Sequence, residues 1–208
     1  DPPPDAPASP DEIERLADEL RKAGEAAHKI TVLGTAGGES VTLTALALAR
    51  RMARDARVVL VDLAASAIIS SVAVDPTAPG IAELMQGEAS FSQVITRDSA
   101  SRLQLVCAGR PGFDPSLLQS PRLTLAIDAL LRVYDHVLLD AGLGADLPAE
   151  LLTANARAVV VPAAGMDEDA RKAMCEQLKA VGFAEVTMLK APAPPLEARE
   201  PGPQVVAA

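Results

Sequence analysis

The chain has 208 residues, of which 49% are hydrophobic, 23% charged and only 2% aromatic. That length fits one domain, and the composition is globular rather than disordered. A net charge of −9 and four aromatic rings exclude a nucleic-acid partner: nothing offsets phosphate repulsion, and no base-stacking platform can form.

The longest uncharged apolar stretch, residues 63–74, is far short of the ~18–20 residues a bilayer span needs, so no direct membrane span is expected in this chain. Cys107 and Cys175 stand alone, with neither metal-ligand spacing nor a disulfide framework, which fits a reducing cytosol. There is no signal-peptide pattern, and a chain opening on Asp1 reads as a piece of something longer.

Proline marks both ends. Of 17 prolines, five fall in residues 1–10 and five in 192–203. Residues 1–10 and 191–208 therefore read as disordered tails around a single domain over 11–190. The first element is an amphipathic helix over 11–23, introduced by Ser9-Pro10, with Ile13, Leu16, Leu20 and Ala23 on one stripe. A short strand, 29–33, stops at a glycine cluster, 34–38, and an apolar helix runs from about Thr42 to Ala53. A nearly continuous apolar strand, 57–62, ends in Asp62. Further strands are predicted at 103–107, 136–140, 158–162 and 186–189, with helices at 123–133, 147–154 and 167–181. Strands that are apolar throughout are buried on both faces, which predicts an α/β fold with a doubly wound, mostly parallel sheet.

In such sheets ligands bind beyond the carboxyl ends of the strands. Gly34-Thr-Ala-Gly-Gly-Glu-Ser-Val-Thr42, Asp62 and Asp140 converge there. Strand, glycine loop and a helix opening with Thr is the layout of a phosphate-binding P-loop, whose amides cradle phosphates and whose lysine contacts their oxygens. Yet G-x-x-x-x-G-K-[ST] is not matched. With Thr42 in the hydroxyl slot, Val41 takes the lysine slot, Ser40 the last glycine slot and Thr35 the first. No Lys or Arg lies between Lys29 and Arg50. The dinucleotide pattern G-x-G-x-x-G fails too, at Ala36 and Glu39. A charge-assisted hydrogen bond is worth ~1.5–3 kcal/mol, and the lysine normally makes more than one. Taken alone, the loop is a strand-to-helix turn.

Five segments resemble the bacterial tyrosine autokinases (BY-kinases), relatives of the MinD/ParA ATPases. Gly38-Glu39 matches the Gly-Glu of the family's P-G-E-G-K-S loop, and Val58-Val-Leu-Val-Asp62 its V-L-L-V-D-A-D strand. Pro79-Gly-Ile-Ala-Glu-Leu-Met-Gln-Gly87 is similar to P-G-L-x-x-x-L-x-G. Leu103 to Gly109 with Asp114 to Ser120 resembles L-x-V-L-P-A-G…P-x-x-L-L-x-S, and Tyr134 to Asp140 resembles Y-D-x-V-I-I-D. The resemblance implies a P-loop NTPase-like domain of a polysaccharide co-polymerase.

The departures fall on the chemistry. The second acid of V-D-A-D is Ala64, and no tyrosine follows Tyr134, so the family's acceptor cluster is missing. The resemblance therefore implies a catalytically degenerate domain: no catalytic residue, no metal and no cofactor are expected. Its vestigial phosphate loop comprises Gly37, Gly38, Glu39, Ser40, Val41 and Thr42, with Thr42, Asp62 and Asp140 as residual metal-side groups. Such a domain would act as a scaffold or regulator in exopolysaccharide or capsular polysaccharide biosynthesis and export, setting chain length. It would lie at the cytoplasmic face of the inner membrane, as part of or partner to an integral membrane protein. Its partners would be membrane proteins of synthesis and export, and itself. One alternative is an active or weakly active ATP- and Mg-dependent autokinase or ATPase, using Lys29 or a neighbouring subunit's arginine as its cation. Another is a MinD-like localisation protein. The family's E-x-x-R-x-x-R ring helix is matched at Glu12 and Arg15, but Asp18 takes the third slot, with Arg21 one turn on; a solvated helix face explains the same charges.

Overall fold

The computed structural model describes residues 8–190. The expected tails lie outside it except for residues 8–10, which are packed onto the domain. The Ala8 amide donates to Thr44 Oγ1, and Ser9 caps α1 (Pro10–Ala23), with Pro10 in its first turn. After β1 (Lys29–Gly34) and α2 (Ser40–Met52) come β2 (Val58–Asp62), α3 (Ala67–Val72), α4 (Ile81–Gln86), β3 (Ile95–Arg97) and β4 (Gln104–Val106). The remainder is α5 (Pro121–Val133), β5 (His136–Asp140), α6 (Ala149–Thr153), β6 (Ala156–Val161), α7 (Glu168–Val181) and β7 (Glu185–Met188).

The seven strands lie in the order β3-β4-β2-β5-β1-β6-β7, all parallel except the β3–β4 pair. Alternate residues of one strand feed opposite layers. Ile30, Val32, Leu60 and Leu138 pack under α1 and α2, whereas Val59, Val61, Val137 and Leu139 pack under α5. Burial on both faces is the reason these strands read as unbroken apolar runs.

Three elements escaped the sequence reading. The helices α3 and α4 have six residues each, too few for a 3.6-residue period to register. β3 has three residues and exists because β4 offers it an antiparallel edge. The Ser40 start of α2, two residues before the expected one, places Val41 and Thr42 in its first turn.

The family-like segments 79–87 and 103–109 turn out to be joined. Ile81 and Ala82 amides donate to the Cys107 and Ala108 carbonyls, and the Glu83 carboxylate accepts from the Gly80 and Arg110 amides. A Cβ on Gly80 would sit 2.2 Å from the Cys107 carbonyl oxygen and 2.4 Å from the Gly109 nitrogen. Neither backbone group can yield cheaply, so Gly80→Ala should cost about 2–4 kcal/mol, within the range of severe packing lesions. Urea unfolding of the variant beside the parent measures it, and a cost below 1 kcal/mol would contradict this packing.

Candidate functional site

The loops after β1, β2 and β5 meet at the carboxyl edge of the sheet. The register pairs Asp62 with Asp140 across adjacent strands, and both carboxylates are buried. From α2, Thr42 Oγ1 donates to Asp140 Oδ2 at 2.6 Å, and the Gly142 amide donates to Asp140 Oδ1 at 3.2 Å. Asp62 accepts from the Ala64 and Ser66 amides, the turn between them passing through Ala65 at φ +55°. Thr42, Asp62 and Asp140, separated by up to 98 positions in sequence, are thus brought together as expected.

The glycine loop is anchored on both sides. The Gly34 amide donates to the Gly142 carbonyl at 2.8 Å, and Thr35 Oγ1 accepts from the Ala163 amide at 2.7 Å. Gly37, Gly38 and Glu39 are exposed and Ser40 half-buried. Val41 is buried and belongs to the core beneath α2. A Cβ on Gly34 would lie 2.3 Å from Val41 Cγ2, so the bare glycine is occupied by an isopropyl group. A hollow of about 370 Å³ remains above the loop, its walls including Gly38, Thr42, Ala64, Ser66 and Gly142. No Lys or Arg among the described residues lines it. Ala64, Ser66 and the Gly142-Leu143 turn are walls that spacing alone did not reveal; the two glycines of Asp140-Ala-Gly-Leu-Gly144, both at positive φ, were the available signal.

The metal side fits a magnesium ion's preference for oxygen ligands, a hydroxyl and two carboxylates. The phosphate side does not fit a nucleotide. Among the described residues no Lys or Arg lines the hollow, so nothing there offers a charge opposite to a phosphate's.

Lys29 cannot fill that role, which corrects the alternative that invoked it. It begins β1, at the opposite end of the sheet, where its Nζ donates to the Ala154 carbonyl after α6. Burial lowers its pKa, against the pull of Asp128 and Glu150. Tyr134 also lies at the far end, half-buried, its carbonyl bonded to His28 Nε2. His136 is buried and bonded to the Ala27 carbonyl, and Asp167 caps α7; among the described residues no three or more His, Cys, Asp or Glu gather into one cluster that could hold a metal ion. On α1, Glu12 accepts from the Lys190 amide at 2.9 Å, Arg21 is paired with Asp18 and Asp55, and Arg15 is exposed.

No family model and no curated protein matches this chain in sequence. Solved structures do match. The VpsO kinase domain aligns at 18% identity over 88% of this chain and 94% of its own, with a TM-score of 0.72. The BceF tyrosine kinase domain aligns at 22% identity, covering 88% and 78%, at 0.66. The fold is that of the bacterial tyrosine-kinase domains. It extends to the MinD/ParA ATPases: septum site-determining MinD of Pyrococcus horikoshii, solved with Mg-ADP, matches at 17% identity over 77% and 68%, with a TM-score of 0.56.

Burial, then the neighbouring Asp140 charge, pushes Asp62 up to about 7; burial raises Asp140 as well, against the Thr42 hydrogen bond. A carboxyl raised in the folded state binds more protons there than when unfolded. Stability from Asp62 is therefore present below about pH 4 and is lost as pH climbs toward 7. In Asp62→Asn this fall should flatten, leaving the variant on the order of 1–3 kcal/mol more stable relative to the parent at pH 8 than at pH 4. Denaturant unfolding at the two pH values checks it; parallel curves would show that Asp62 titrates normally.

Proposed function

We propose that this domain works without nucleotide chemistry, as a scaffold or regulator of exopolysaccharide or capsular polysaccharide biosynthesis and export, acting in chain-length determination. The observation that carries the non-catalytic part is Val41, buried against Gly34 in the lysine's slot, above which no cation lines the hollow. The polysaccharide setting rests on the five family-like segments and on the kinase-domain fold. In this reading the domain sits at the cytoplasmic face of the inner membrane and engages membrane proteins of the export machinery; within the described residues no helix is long and apolar enough to cross a membrane.

The competing reading, an ATP-dependent tyrosine autokinase, draws on the assembled Thr42, Asp62 and Asp140. It lacks a cation in the hollow and any tyrosine near it. Calorimetric titration with Mg-ATP separates the two. The scaffold reading expects no binding up to ~1 mM, and a micromolar dissociation constant would overturn it. Ser40→Gly with Val41→Lys should then create affinity, tightening binding by about tenfold or more, because a charge-assisted hydrogen bond is worth ~1.5–3 kcal/mol. A double variant that binds no better would show that the lost cation is not the reason.

In cells lacking the gene, polymer length should change. A copy carrying Asp62→Asn, with its folding confirmed by circular dichroism, should restore it as well as the parent does; failure of that copy would favour the kinase.

A further inference from the structure

A groove of about 700 Å³ runs between the start of α1, the end of α2 and the turn joining β3 to β4. Four arginines line it, Arg50, Arg51, Arg54 and Arg102, against one acid, Glu14. In a chain of net charge −9 that is a local reversal of sign. Arg50 is held by the buried Asp98 in a two-pronged pair, at 2.8 and 2.7 Å, and Arg51 by Glu14. Arg54 and Arg102 are exposed and have no acid partner among the described residues. The floor between them is apolar, with Ile13, Ala47 and Ala53.

We infer that this groove is the docking site of the chain's own residues 1–7, Asp-Pro-Pro-Pro-Asp-Ala-Pro. The described chain begins inside the groove: Ala8, Ser9 and Pro10 line it, and the Ala8 amide is tied to Thr44 Oγ1 at 3.2 Å. The segment carries two acids and no base, which complements the two unpaired arginines. Four of its seven residues are prolines, which have no N–H to leave unsatisfied against an apolar floor and little backbone freedom to lose. At ~3.1 Å per residue an extended proline-rich segment of this length reaches about 20 Å. Residues 191–208 leave from Lys190, near the same helix start. Their charges are one arginine against two glutamates, a poorer complement.

Amide NMR of the full chain tests this. Asp1→Asn with Asp5→Asn should move the signals of residues 100–102 and 50–54 while leaving those of β5 and β6 in place. A nitroxide on Asp5→Cys, in a Cys175→Ser background, should broaden the same groove signals. The exposed changes Arg54→Glu and Arg102→Glu should lower the docked population about fivefold to tenfold, the worth of two exposed ion pairs, and 1 M salt should do likewise. Unmoved groove signals, or broadening that survives the arginine changes, would overturn the inference. So would groove broadening from a nitroxide on Leu196→Cys and none from the label at residue 5, which would make the C-terminal segment the occupant.

Discussion

The isopropyl group of Val41 rests where a Cβ on Gly34 would otherwise sit, and that contact decides what the glycine loop can be. A P-loop works because its backbone amides are reinforced by a flexible cation held over the phosphates. Here the residue in that slot is branched, apolar and turned into the core beneath α2. The loop keeps its anchorage, through the Gly34 amide on Gly142 and Thr35 on the Ala163 amide, and carries no basic residue between Gly34 and Thr42.

What remains at the carboxyl edge is an acidic cluster that the fold stabilises by other means. Thr42 and the Gly142 amide satisfy Asp140, and the turn through Ala65 wraps Asp62 in backbone donors. Burial makes both carboxylates costly to charge and raises the pKa of each, and at Asp62 the neighbouring Asp140 charge adds to that cost. Proton uptake by Asp62 relieves that cost. The cluster therefore behaves as a structural knot joining α2, β2 and β5.

The sheet and its two layers were legible in the sequence because Val58–Asp62 and His136–Asp140 are apolar on both faces, which only a covered parallel sheet explains. The helix start at Ser9-Pro10 was legible for a similarly local reason, whereas Asp167, expected as the first residue of a helix, proves to be its cap. The segments at 79–87 and 103–109 were visible as a resemblance, yet their role was not, because Gly80 matters through its approach to Cys107 and Gly109, more than twenty positions away. Lys29 misled. As a lysine near the loop in sequence it was a candidate cation, but a strand's length separates its ends, and it faces Ala154 at the other edge.

The order of residues by itself determined the apolar periodicities, the caps, and the absence of any base between Lys29 and Arg50. These are local properties, written in consecutive side chains. Tertiary structure alone decided that Val41 turns inward onto Gly34, that Asp62 and Asp140 share one register position, and that four arginines from α2, the turn after it and the distant β3–β4 turn line a groove opening at Ala8. Each of these depends on which strands become neighbours, and that is set by packing across the whole sheet rather than by any single stretch of chain.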